Sequence, residues 1–361
     1  MRLLVAAVLV SCAGGAGAAT PCTTATAACT EMVGVAGATG RTLVYRSYPL
    51  AEKNTAITRA VIMIHGLGRD ANNYYRHVLA AAFLAGALQD TVLIAPRFAS
   101  NEGGDCKDTL APGELGWHCQ PRNDTWRTGG AAVGADVTSF DIVDELLRRL
   151  ARKDIFPNLR TLVVAGHSAG GQFVSRYEMA NQAHDQLAIK PAYVVANPSS
   201  YAYLDPLRPT AAALPGSVAA AAPGYQAPLP ANAPAPFGAF ADAANCTTYD
   251  KWPYGLQERN GYASRLGDGE LKKQLAARPA TYLLGELDIL PLYGFDSGCA
   301  AMAQGPTRLA RGLAYARYVN ERFGAQHKAL VVPACGHSAR CMFTSDTALP
   351  LLFPKPALAA Q

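Results

Sequence analysis

The chain has 361 residues, half of them hydrophobic and 16% charged, a composition that can bury a large core and excludes a chain disordered throughout. Its formal net charge of +5 is small for this length, and there is no long basic run or aromatic-basic alternation, so no nucleic-acid partner is expected. After the N-terminus no segment has the roughly 18 uninterrupted apolar residues of a spanning helix; the Ala-rich stretch 211–244 is broken by prolines, so no stable membrane insertion is expected.

Residues 1–18 read as a secretory signal: Arg2, an apolar run from Leu3 to Val10, then Ala16, Gly17 and Ala18 before the cut. A competing pattern is a lipidation box, because Leu9, Val10 and Ser11 precede Cys12. Cysteine parity separates the two. Of nine cysteines, loss of Cys12 leaves the even set Cys22, Cys29, Cys106, Cys119, Cys246, Cys299, Cys335 and Cys341, which suits disulfides in a secreted or periplasmic protein. Chain neighbours are the expected pairs (Cys22–Cys29, Cys106–Cys119, Cys246–Cys299, Cys335–Cys341), although sequence leaves the connectivity open. Cys-x-x-Cys and His-x-x-x-His spacings are both lacking, so no zinc or other metal site is expected.

From there the chain alternates short apolar runs with helical segments. Strands are expected at Thr42–Tyr48, Ala60–Ile64 and Thr91–Ala95, with a helix over Asn73–Leu88 between the last two. Over Ser139–Leu150 the residues Phe140, Ile142, Val143, Leu146, Leu147 and Leu150 recur at helical spacing, with Ser139 as the expected cap. A strand at Thr161–Ala165, a helix over Gln172–Asn181, and strands at Tyr193–Ala196, Tyr282–Leu284 and Leu330–Val332 follow. Uninterrupted apolar strands alternating with helices indicate an α/β fold whose mostly parallel sheet is covered on both faces. Residues 205–279 break the rhythm, first with Ala and Pro, then with Trp252, Pro253, Tyr254 and Gly255. They read as a cap or lid insertion within one domain, 19–361; a linker between two domains is the alternative.

The strand at Thr161–Ala165 runs straight into Gly166-His167-Ser168-Ala169-Gly170-Gly171, the Gly-x-Ser-x-Gly pattern of a tight strand-to-helix turn that exposes a serine hydroxyl. The helix that follows aims its first amides at the same place, so the Ala169 N–H can receive negative charge developing on a substrate oxygen. About a hundred residues earlier, a second strand ends in the loop His65-Gly66-Leu67-Gly68-Arg69-Asp70, whose backbone amides are a second candidate donor set; His65 reads as a loop brace. Two carboxylates, Glu286 and Asp288, follow the strand at Tyr282–Leu284, and Gly336-His337 follows the last strand.

In this order the residues resemble the α/β-hydrolase superfamily, over about residues 42–345. The resemblance implies a sheet of about eight strands with a cap insertion after the sixth, no organic cofactor, and hydrolysis of esters, thioesters or amides. It implies the triad Ser168, Asp288 and His337, with Asp288 preferred to Glu286 by its distance from Gly285, and an oxyanion hole of Leu67 and Ala169. His337 takes the Ser168 proton and Asp288 orients the ring. A bridge between Cys335 and Cys341 would hold the base loop. Tyr74, Tyr75, Trp252, Tyr254 and Tyr293 are candidates for the substrate pocket, with Tyr74, Trp252 and Tyr254 preferred. The expected activity is that of a secreted serine esterase acting on small-molecule or polymeric esters, similar to extracellular esterases, feruloyl-esterase-like enzymes and polyester depolymerases. An amidase or peptidase using the same triad is the alternative, and a non-catalytic binding protein on this scaffold is disfavoured because no triad member is missing.

Overall fold

A computed structural model describes residues 20–119, 124–210, 236–292 and 294–354. The expected signal segment 1–18, Cys12, residues 211–235 of the insertion and Tyr293 lie outside the described residues. The strands are β1 (Thr30–Val33), β2 (Thr42–Arg46), β3 (Arg59–Ile64), β4 (Thr91–Pro96), β5 (Thr161–His167), β6 (Pro191–Ala196), β7 (Leu207–Pro209), β8 (Phe237–Ala239), β9 (Ala280–Gly285) and β10 (Lys328–Val332). Eight of them form one sheet in the order β1-β2-β4-β3-β5-β6-β9-β10, while β7 and β8 pair by themselves. β2 is antiparallel to both β1 and β4, and every other neighbour in the sheet is parallel. The expected architecture is therefore present.

Apolar residues alternate between the two faces. Ala60, Ile62 and Ile64 of β3 join Leu162, Val164, Val195 and Tyr282 in the larger core, whereas Val61 and Met63 join Leu93, Val163, Ala165 and Leu283 in the smaller one. The smaller core is covered by α1 (Ala71–Leu84), α7 (Ala339–Phe343) and α8 (Leu349–Leu352); the larger by α2 (Ser139–Leu150), α3 (Ala169–Ala180), α4 (Asp268–Ala277) and α6 (Arg308–Phe323). Both faces of the central strands are dry, which is why they read as unbroken apolar runs.

Thr138, not Ser139, caps α2: its hydroxyl accepts from the Asp141 amide while the Asp141 carboxylate reaches back to the Thr138 amide. Ser139 donates its hydroxyl to Trp126 O at 2.7 Å instead. The reciprocal pair satisfies two helix-end donors at once, which a single cap at Ser139 cannot do. α3 begins at Ala169, directly after the elbow serine and three residues before the sequence-based start, and all its residues are buried. The four expected disulfides are all present.

Towards its far end α3 carries Glu178, fully buried, with neither carboxyl oxygen hydrogen-bonded. Its Oε1 lies 3.2 Å from His327 Nε2, but that nitrogen donates to the carbonyls of Leu275 and Arg278, and the Tyr282 hydroxyl pairs with Nδ1. Burial pushes the Glu178 carboxyl well above the usual carboxylate range, against a smaller downward pull from Arg278. A raised folded-state pKa means stability that is complete below the unfolded-state value and is lost as pH rises through the folded one. Glu178→Gln removes that loss. Its Tm should match the parent's at about pH 4 and exceed it at about pH 9, and thermal melts that stay parallel across that range would disprove the assignment.

Candidate active site

The register of the central strands sets the site. Ile64 pairs with Gly166 across β3 and β5, and His167 pairs with Ala196 across β5 and β6, so three strands end level and their loops converge. Ser168 follows β5 immediately, with its amide donating to Ala196 O at 2.9 Å and its backbone at φ 59, ψ −118. A positive φ is costly for a residue with a Cβ, and the flanking glycines show what imposes it. A Cβ on Gly170 would sit 2.3 Å from Ile64 O, and one on Gly166 would sit 2.3 Å from Gly170 O. Backbone packs on backbone here, leaving α3 with its first amides beside the serine.

Ser168 Oγ lies 3.0 Å from His337 Nε2, and His337 Nδ1 lies 2.7 Å from Asp288 Oδ2. The three sequence candidates thus meet in one unbroken chain. Glu286, the other carboxylate of that turn, points elsewhere and accepts the Ala334 amide at 2.8 Å. The Cys335–Cys341 bridge brackets His337.

Three further residues organise this chain, and only the folded molecule reveals them. Arg308, on the first turn of α6, reaches Asp288 Oδ1 at 3.3 Å and donates to Ser199 Oγ at 2.8 Å, with both charged side chains fully buried. Asn197 accepts the Gly285 amide at 2.7 Å and donates to Gly336 O at 3.2 Å; it ties the acid turn to the base loop. Its φ is 44, a conformation asparagine tolerates better than most residues. The His167 ring packs 4.6 Å from that of His337, and burial pushes its pKa well below the ordinary value, keeping it neutral beside that ring.

On the opposite loop, Gly66 O accepts from His65 Nδ1 at 2.9 Å and from the Arg69 amide at 3.1 Å. In a trans peptide the following N–H points away from that carbonyl, so the Leu67 amide is turned outward from this pinned side; no acceptor takes it among the described residues. Ala169 N is the first helix amide and has no intrahelical partner. His65 is fully buried, accepts the Phe98 amide on Nε2 and is pushed by burial down to about 4, which suits a brace and not a base.

A protein-family model described as the alpha/beta hydrolase family matches residues 61–349. The chain belongs to the alpha/beta hydrolase family. No curated protein matches by sequence. Among solved structures, poly(aspartic acid) hydrolase-1 from Sphingomonas sp. KT-1 is similar at TM-score 0.55 and 22% identity, over 90% of this chain and 97% of that one. The poly(3-hydroxybutyrate) depolymerase LpqC from Bordetella parapertussis is similar at TM-score 0.54 and 22% identity, over 87% and 84%.

The pocket candidates of this hydrolase fall in different places. Tyr74 sits under the Gly66 loop, where its hydroxyl would be 2.5 Å from a Gly66 Cβ and pairs with His167 Nδ1 at 3.1 Å. Tyr75 is fully buried and donates to Cys22 O at 2.6 Å. Trp252 is buried behind α3, with the Arg176 guanidinium 6.0 Å from its ring. Tyr254 lines a cleft beside α3 and donates to Asp296 Oδ2 at 2.7 Å.

The packing at the elbow has a direct mutational consequence. Gly170→Ala should destabilise the fold by about 2 kcal/mol or more, since two backbones must separate to admit one methyl. Gly269 in the exposed part of α4 meets nothing within 4 Å, so Gly269→Ala should stabilise by about 0.5–1 kcal/mol. Denaturant melts of the two variants would read the contrast, and equal effects would show that the elbow is not under this constraint.

Proposed function

We propose that this hydrolase is a secreted serine esterase that cleaves carboxylic esters through an acyl-enzyme on Ser168. The observation that carries the reading is the continuous pair of contacts from Ser168 Oγ to His337 Nε2 and from His337 Nδ1 to Asp288. A serine hydroxyl is a weak nucleophile until an imidazole takes its proton. His337 takes it as the Ser168 oxygen attacks the carbonyl carbon, and the oxyanion that forms is held by the amides of Ala169 and Leu67. Asp288 fixes the ring and stabilises the imidazolium, with Arg308 and the Leu309 amide holding Asp288 in turn. The protonated His337 then passes its proton to the leaving alcohol; a water activated by the same ring releases the acid and restores Ser168.

Secretion is supported by the signal-like residues 1–18 and by four disulfides, which persist in oxidising compartments. Within the expected insertion, α4 leads directly into β9 and packs on α3 and α6, as a crossover helix does; we assign the cap to the residues before it. Small or polymeric esters both suit the site, and an amidase using the same groups is the alternative.

Purified protein should turn over short-chain p-nitrophenyl esters, and Ser168→Ala should lose at least about a thousandfold in kcat; comparable turnover in that variant would sink the assignment. Asp288→Asn should cost roughly ten-thousandfold in kcat and Glu286→Gln less than about tenfold, which separates the two carboxylates. Matched ester and amide substrates measured side by side would decide between the esterase and the amidase.

A further inference from the structure

Ser168, Gln172 and Arg176 stand four residues apart along α3, so they share one side of the helix, each about 5–6 Å from the next. Gln172 and Arg176, with Arg127, Ser200, Tyr254 and Asp296, line a cleft that opens beside the nucleophile's helix. The cleft has room for about one water-sized group, the size of one carboxylate oxygen. Its chemistry is unusual for a protein interior. Arg176 is buried and donates only to Pro253 O, at 3.2 and 3.0 Å, and to Ser200 Oγ at 3.3 Å. Arg311, also fully buried, donates to the carbonyls of Ser199, Asp296 and Gly305 and to the sulfur of Met302.

Neither guanidinium has a salt bridge to a carboxylate among the described residues. Burial accordingly pushes both down to about 10, still charged at neutral pH. Arg127, Arg176, Arg308 and Arg311 gather here around two carboxylates, Asp288 and Asp296, an excess of positive charge in a low-dielectric pocket. Asp296 is itself engaged, accepting from the Tyr254 hydroxyl and the Gly298 amide. Ser200 Oγ accepts from both Gln172 Nε2 at 2.7 Å and Arg176, so its own proton is left to donate; it finds no acceptor among the described residues.

We infer that this cleft is an anion subsite and that the preferred substrates carry a carboxylate one to two helix turns from the scissile carbonyl, received by Arg176, Arg127 and the Ser200 hydroxyl. The inference rests on the hydrolytic reading of Ser168 and adds the substrate class. Arg176, buried in the lining of the cleft with no ion-pair partner among the described residues, explains itself if the substrate supplies a counter-charge. A neutral acyl chain of equal length would place methylene groups against the Ser200 hydroxyl, leaving its proton unpaired.

The test compares the mono-p-nitrophenyl esters of adipic and suberic acids with the hexanoate and octanoate esters of the same lengths. The acidic esters should show about tenfold or greater kcat/KM, mainly through KM, with the advantage shrinking as salt is added. In Arg176→Gln the acidic-to-neutral ratio should fall towards one; a guanidinium that merely braced α3 against the Trp252–Gly255 turn would slow both ester classes alike and leave the ratio intact. Arg127→Gln, on a half-buried loop residue, gives the same reading if Arg176→Gln does not fold. Binding is followed separately in Ser168→Ala, where monomethyl adipate should raise Tm and methyl hexanoate should not. Equal kcat/KM for acidic and neutral esters, or no difference between those two ligands in the melt, overturns the subsite. Absence of turnover on every ester, with the ligand difference retained in the melt, overturns the esterase reading alone.

Discussion

The N-terminus of α3 comes close enough to the sheet for its backbone to touch the ends of two strands, and this contact governs the site. Ile64 O and Gly170 leave no space for a methyl, nor do Gly166 and the Gly170 carbonyl. A chain that must pass from strand to helix in that space bends at one residue, and Ser168 takes the left-handed conformation at φ 59. The strain is sustained by the buried length of α3 behind it, whose every residue packs into the core. The serine hydroxyl and the first helix amides arrive together as a result of one steric fact.

The other two members of the chain depend on loops, and loops need ties. Asn197, from the end of β6, bonds the backbone of both the acid turn and the base loop, and the Leu287 amide bonds Cys335 O at 2.9 Å. The Cys335–Cys341 bridge closes the base loop from outside. Arg308 comes from a helix that follows the acid turn and fixes the outer oxygen of Asp288. Asp288 is thus held from both oxygens, by an arginine on one and the imidazole on the other, which fixes the aim of a fully buried carboxyl group.

Arginine recurs around this centre more than acid does. Arg308 is paired with a carboxylate, while Arg176 and Arg311 donate to carbonyls, a hydroxyl and a sulfur. Such groups satisfy donors without cancelling charge. The region beside Ser168 therefore combines the Ser168–His337–Asp288 chain of contacts with a local excess of positive charge.

Much was determined by the sequence alone. Unbroken apolar strands and the glycines at 166 and 170 follow from local sterics and from periodicity, because a residue's neighbours in the chain are enough to impose them; the order of Ser168, Asp288 and His337 was legible through the resemblance to the α/β-hydrolase superfamily. Three of the four disulfides also close short loops of 6, 7 and 13 residues, whereas Cys246–Cys299 spans 53 and waits on the fold. What only the tertiary structure decided are the contacts between segments far apart in the chain. Examples are the turning of Glu286 to the Ala334 amide, the reach of Arg308 from α6, the bracket at Asn197, and the meeting of Arg176 with Ser200 and Pro253. Side chains carry no local mark of partners that a hundred intervening residues bring to them; helix packing and strand register alone set those distances.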